Sequence, residues 1–341
     1  GFSSRYSVVD TSAATPATWG SMGTNAAFSV ALSTPGTWYV HVKALDYAGN
    51  QTISTFGPFA IVDNQAPSAP SITVVPEYTD GTWVTSSLAV IASGSTDDFT
   101  AIDNLRYYYS VNGGANYYPG NNVIFTNEGV QTVYFRVRDE SGNFSSAASK
   151  VVKIDFSAPA VPDYSAVSNS LSYVAGTWAT SPVEFTLSGS SDAVSAVAGY
   201  EYRIDGGLWQ NGSTAVLSSS GKYSIEYRSV DLAGNYSDIG SSSIWLDTDA
   251  PSAPAVSTTT TYTEGTWTTT SLTLEAAGSL DNMTPAGNLV YEYSLDGVTF
   301  SAGKSVTISN DGTYTVYFRV TDEAGLSCSV VSRTVKIDGT A

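Results

Sequence analysis

The chain has 341 residues and a formal net charge of −17, from 14 basic and 31 acidic residues. That sign disfavours nucleic acid and anionic membrane surfaces as partners. A single cysteine excludes an intrachain disulfide scaffold, and no apolar run approaches the roughly 18 residues that insertion in a bilayer requires.

Charged residues make up 13% of the chain, and Ser, Thr, Gly and Tyr fill much of the rest. This is a β-rich, turn-rich composition. One stretch is written four times, most clearly as TVYFRVRDESGNFSSAASKVVKIDFSAP from Thr132 to Pro159. It reads as strand, tight turn, strand and an Asp-x-x-Ala-Pro exit. The aspartates that close the four copies are Asp63, Asp155, Asp247 and Asp338, spaced by 92, 92 and 91 residues. A solenoid unit spans about 20–50 residues, so this period describes self-sufficient small domains in tandem. The boundaries are 1–63, 64–155, 156–247 and 248–341.

In chain order, the first tyrosine strand, RYSVV from Arg5 to Val9, starts almost at once. In the other repeats about 40 residues precede it, so 1–63 reads as a partial domain lacking its first strands. Either the sequence starts inside a domain or those strands come from elsewhere. The second repeat opens with the edge strand SAPSITVV, the turn EYTDG and the run TWVTSSLAVIASG. Gly-Thr-Trp recurs at Trp83, Trp178 and Trp267, and one indole at a fixed place per domain reads as a core plug.

The strand LRYYYSV ends in Asn112-Gly113, with Asp205-Gly206 and Asp296-Gly297 as equivalents. These are hairpin turns, because both central residues take positive φ. Ser294, Asp296 and Phe300 nearly match the Asp-box of sialidase-type propellers, but the spacing is one residue short, so they too read as a turn. In the organising hairpin Val133, Phe135 and Val137 face inward, as do Ile225 and Tyr227, and Val316, Phe318 and Val320. Arg136, Arg228, Arg319 and Lys43 then face outward, where each can lie across an aromatic ring or pair with an acid. The turn is Asp-x-x-Gly-Asn at Asp46, Asp139 and Asp231, and the fourth copy has Leu326 in place of Asn. About seven short strands per repeat, with no helical periodicity, predict an all-β fold of tandem immunoglobulin-like β-sandwiches in an elongated rod.

Gly-Thr-Trp, Tyr-x-x-Asp-Gly, Tyr-Phe-Arg-Val-x-Asp-x-x-Gly-Asn and the Lys-Ile-Asp-x-x-Ala-Pro exit resemble the bacterial immunoglobulin-like repeats of large secreted and surface-layer proteins. The first repeat, with GTWYVHVKALDYAGN, looks like a sister type. The resemblance implies an extracellular or cell-surface location and a stalk or spacer role. Its partners would be other copies, or other domains, of a surface assembly. Two alternatives stand behind it. One is a glycan- or protein-binding adhesin module using tyrosines and Trp209. The other is an accessory region of a polysaccharide-degrading enzyme.

No catalytic constellation stands out. His41 reads as outward-facing by register with Tyr134 and Tyr317, and Cys328 as a small apolar filler. The constellation that does carry chemistry is acidic. In an immunoglobulin-like topology, the loop between the second and third strands and the turn of the organising hairpin share a pole with the incoming linker. That gathers Asp63, Asp97, Asp98, Asp103, Asp139 and Glu140 in the second repeat, and Asp155, Asp192 and Asp231 in the third. The fourth gathers Asp247, Asp249, Asp281, Asp322 and Glu323. Clusters of oxygen donors suit calcium, so calcium at the interdomain joints is the expected cofactor. Asp247-Thr-Asp249-Ala-Pro251 also resembles the calcium linker of cadherins.

Overall fold

The computed structural model describes residues 2–23, 29–32 and 34–340. They are all-β apart from one short 3-10 turn, Ile102–Asn104. The chain divides into two compact units, Gly1–Asp155 and Phe156–Ala341.

In the first unit, β1 (Phe2–Asp10), β2 (Gly20–Gly23), β3 (Gly36–Asp46) and β4 (Gln51–Ile61) form one antiparallel sheet, in the order β2-β1-β3-β4. None of the three buried clusters among the described residues draws a side chain from it. The same unit then holds a two-sheet sandwich. Its strands are β5 (Ser71–Val75), β6 (Trp83–Val84), β7 (Leu88–Ser93), β8 (Arg106–Ser110), β9 (Tyr118–Pro119), β10 (Asn122–Phe125), β11 (Gly129–Arg138) and β12 (Ala148–Ile154). One sheet runs β10-β7-β5 and the other β6-β12-β11-β8-β9.

Strict alternation on β7 and β11 explains why these two sheets meet. Leu88, Val90 and Ala92 of β7 face Val133 and Phe135 of β11, with Val152 and Ile154 of β12 beside them. All seven are essentially inaccessible to solvent. Burying a side chain such as Phe135 contributes about 1.5–3 kcal/mol before entropy is counted.

The second unit repeats this arrangement twice, with strands spanning 163–246 and 255–337. Phe185 and Leu187 pack with Ile225 and Ile244 in one core, and Leu272 and Leu274 with Val316 and Phe318 in the other. The inward faces expected for the organising hairpin are therefore the observed ones.

Three expectations fail. Of the three hairpin turns only Asp205-Gly206 has positive φ at both residues, whereas at Asn112-Gly113 and Asp296-Gly297 the glycine alone does. The Gly-Thr-Trp indoles are not core plugs. Their short strand pairs in parallel with the last strand of the domain, which places Trp83 beside Lys153 and Val84 beside the buried Ile154. The indole therefore takes the outer face, and Trp267 is 58% exposed. The outer contacts are cationic: Lys153 lies 5.7 Å from the Trp83 ring centre, and Lys222 lies 4.9 Å from that of Trp178. What the motif builds is the turn. The Tyr78 hydroxyl donates to the carbonyl of Thr82, and Tyr173 and Tyr262 do the same to Thr177 and Thr266. In the last two cases the hydroxyl also accepts from the backbone of the final strand, at Trp245 and Lys336.

His41 is likewise not on the surface. It is the one fully buried residue of β3, because the chain at Asp10–Ser12 laps over it. Its Nε2–H donates to Ser12 O at 2.9 Å, with Asp10 Oδ1 at 3.3 Å. Nδ1 then accepts from the Thr55 hydroxyl at 2.8 Å.

Candidate metal centre

The turn of the organising hairpin orders its aspartate first. Asp139 Oδ1 accepts from the N–H of Gly142 and Asn143, and Asp231 Oδ1 from Ala233, Gly234 and Asn235. Gly142 and Gly234 sit at φ +103° and +94°, which only glycine adopts without strain. The terminal Asn then spends its amide on the other carboxylate oxygen, in Asp46–Asn50, Asp139–Asn143 and Asp231–Asn235. In the second repeat the Asn143 amide also donates to Asp63 O at 3.1 Å. It thereby ties the incoming linker to the turn.

The fourth repeat has the same turn without that amide. Asp322 Oδ1 accepts from the N–H of Leu326 at 2.8 Å, and Oδ2 has no hydrogen-bond partner in the protein. Asp281 anchors its loop in the same way: Oδ2 accepts from Met283 and Thr284, and Oδ1 is left over. Asp247 Oδ1 accepts from the N–H of Asp249, and Oδ2 is left over. Asp247, Asp281 and Asp322 each present one carboxylate oxygen within 4.8 Å of the others. Asp247 is completely buried, Asp322 is 5% exposed, and no Lys, Arg or His among the described residues forms an ion pair with any of the three. Burial holds the Asp247 carboxyl above its ordinary range. The N–H of Asp249 opposes this, and the charges of Asp281, Asp322 and Asp249 add to the rise.

In the second repeat Asp63, Asp97 and Asp98 form a group with the same spacing, one carboxylate oxygen of each lying within 4.8 Å of the others. Asp63 and Asp97 each keep one buried oxygen without a hydrogen-bond partner, whereas Asp98 is exposed. Five of the expected ligands stand outside these groups. Asp103 lies exposed in the 3-10 turn, and both oxygens of Asp139 serve its own turn. Glu140 and Glu323 accept from the side-chain amides of Asn104 and Asn288. Asp249 accepts from Ser220 and Asn282 through Oδ2, outside the group of three. Asp155 closes the first unit. Asp192 and Asp231 lie in the second unit, and each accepts backbone N–H groups of its own loop. Ser294 and Asp296 form only a turn, in which the N–H groups of Thr299 and Val298 hold the Asp296 carboxyl well below its usual range.

The outward cations form the other recurrent constellation. Arg136 lies 3.9 Å from the ring centres of both Tyr117 and Phe144. Arg228 lies between Trp209 and Tyr236, at 4.1 and 3.7 Å, and pairs with Glu201 at 2.7 Å. Arg319 lies over Phe300 at 4.2 Å and pairs with Glu292 at 2.7 Å, and Lys43 lies over Tyr6 and Trp19. Each cation joins an aromatic ring to its sheet face.

Residues 192–248 and 269–339 match the family model of a bacterial Ig-like domain. The resemblance read from the motifs therefore holds over the third and fourth repeats. No curated protein matches the chain. Among solved structures, the fibronectin(III)-like modules of Clostridium thermocellum CbhA align with 13% identity and a TM-score of 0.28, over 51% of this chain and 94% of theirs. The FN1-FN3 domains of chicken CNTN1 align with 10% identity and a TM-score of 0.23, over 80% of this chain and 100% of theirs.

Proposed function

We propose that these bacterial Ig-like repeats are a non-catalytic spacer of a bacterial cell-surface or surface-layer protein, which presents or assembles other domains outside the cell. Bacterial Ig-like domains suggest a structural or accessory module of a multidomain or surface protein in the first place. The observation that carries the finer reading is the repetition itself. Three sandwiches each close a core of their own, and the aspartate of each recurring turn holds its own turn through one carboxylate oxygen. A unit copied in this way contributes length and stiffness with each copy. The partners on this reading are other domains or other copies of the same assembly.

Excision of one repeat, residues 156–247, tests this directly. The maximum dimension in small-angle scattering should fall by one domain length, about 35–45 Å for strands of this size with their loops. An unchanged dimension would sink the spacer reading. The glycan-binding alternative gains nothing from Trp209, whose ring is stacked against Arg203 and Arg228.

A further inference from the structure

We propose that Asp247, Asp281 and Asp322 form a binding site for a hard divalent cation, with calcium as the ion that fits it. The site stands on this chain's geometry and does not depend on the spacer reading.

Three observations converge. Each carboxylate is fixed by one oxygen, which accepts backbone N–H groups, so the direction of the other oxygen is set by the loop. That second oxygen has no hydrogen-bond partner in the protein in any of the three residues, and Asp247 is wholly inaccessible. A buried carboxylate oxygen without a partner is costly, and three such groups facing one another are mutually repulsive. The third observation is spatial. One oxygen from each residue lies within 4.8 Å of the others. Oxygens bound to one calcium at about 2.4 Å can be at most about 4.8 Å apart, so each pair meets the spacing that a shared ion requires. The donors are all oxygen, with no imidazole or thiolate in the group, which favours calcium over zinc or copper. An open cleft lined by Asp249, Ala250, Ser252, Leu280, Asp281 and Asn282 runs beside the group and gives access for the ion and its remaining water ligands.

Comparison with the second repeat shows what the ion does. There the Asn143 amide joins the turn aspartate to the linker carbonyl of Asp63. In the fourth repeat Leu326 stands in place of that asparagine and cannot make the join. The three ligands come from the incoming linker (Asp247), the loop after Leu272–Ala277 (Asp281) and the hairpin turn (Asp322). A cation held by all three replaces the missing amide and locks the linker to the pole of the domain.

The test is calcium titration of the full chain after chelation, read by isothermal calorimetry and by thermal unfolding. Asp281→Asn and Asp322→Asn are the variants, because Asn keeps the oxygen that accepts the loop N–H groups. Wild type should bind calcium at submillimolar to millimolar concentration, as extracellular modules do, and unfold at a higher temperature with it. Each variant should bind one calcium fewer per chain. Each should also match or exceed wild-type stability in chelator, because a repelling charge has gone. A wild-type chain that neither binds calcium nor gains stability at millimolar concentration overturns the site. So does a variant with the full wild-type stoichiometry. If one variant fails to fold, the stoichiometry of the other decides.

Discussion

Cys328 shows how one side chain can have two structural jobs. It is 7% exposed and belongs to the core of the fourth domain, as an apolar filler would. Its sulfur also accepts from the N–H of Val320, where the second and third domains use Ser145 and Ser237 for the same bond. Cys328→Ser should therefore keep the melting temperature of this domain nearly unchanged. Cys328→Ala should lower its stability by about 1–3 kcal/mol in chemical denaturation, because the buried N–H loses its acceptor. Glu292 supplies a pH-dependent counterpart. Its hydrogen bond from Arg319, and then one from the Thr321 hydroxyl, hold its carboxyl below the ordinary value of 4.5. A depressed folded-state pKa adds stability above the unfolded value, and that stability is lost as pH falls through the folded one. The pair is partly solvated and should be worth about 1 kcal/mol or less. Glu292→Gln should lower the melting temperature at pH 7, and the difference should shrink below about pH 4. A gap that stays constant across that range would contradict the assignment.

At the scale of elements, the Asp-x-x-Gly-Asn turn is the most legible feature of the chain, and its fourth copy, with Leu326 in place of Asn, holds Asp322. Gly234 illustrates its constraint. A Cβ there meets nothing within 4 Å, yet φ is +94°, so Gly234→Ala should cost about 1–2 kcal/mol through the backbone alone. Urea unfolding of the third domain would measure it. The inward alternation of Val133, Phe135 and Val137 was readable because a period of two leaves only one buried face. The indole of Gly-Thr-Trp was misread because sequence shows that a residue recurs, but not the register of a two-residue strand. Only the parallel pairing with Lys153 and Ile154 decides which way Trp83 faces. His41 was misread for a related reason, since its cover comes from Asp10–Ser12, about thirty positions away in the chain. In the acidic group, the residue types and the pole were legible. The oxygens already claimed by backbone N–H groups were not. What separates Asp322 from Asp139 is Leu326 in place of Asn143, whose amide takes the second carboxylate oxygen.

At the scale of the whole molecule, separate cores imply separable stabilities. Phe185 and Phe318 are both fully buried, each in a cluster confined to its own sandwich. Phe318→Ala should cost the fourth domain about 3–5 kcal/mol. In calorimetry it should split an early transition from the melting of the other domains, and the remaining transitions should keep their temperatures. A uniform downward shift would mean that the domains unfold as one block.

The parallel pairing of Trp83–Val84 with Lys153–Ile154, repeated at Trp178–Ala179 and Trp267–Thr268, has a mechanical consequence. An early strand and the last strand of each sandwich run side by side in the same direction. Tension applied through the two ends of a domain therefore slides one past the other, and the bonds between them, with the tyrosine clasp at two of the three sites, bear the load at once instead of peeling in turn. In a stretching experiment such domains should rupture singly at high force, each releasing roughly 300 Å of slack. A domain built this way resists a pull along its length far better than one whose terminal strands peel apart bond by bond.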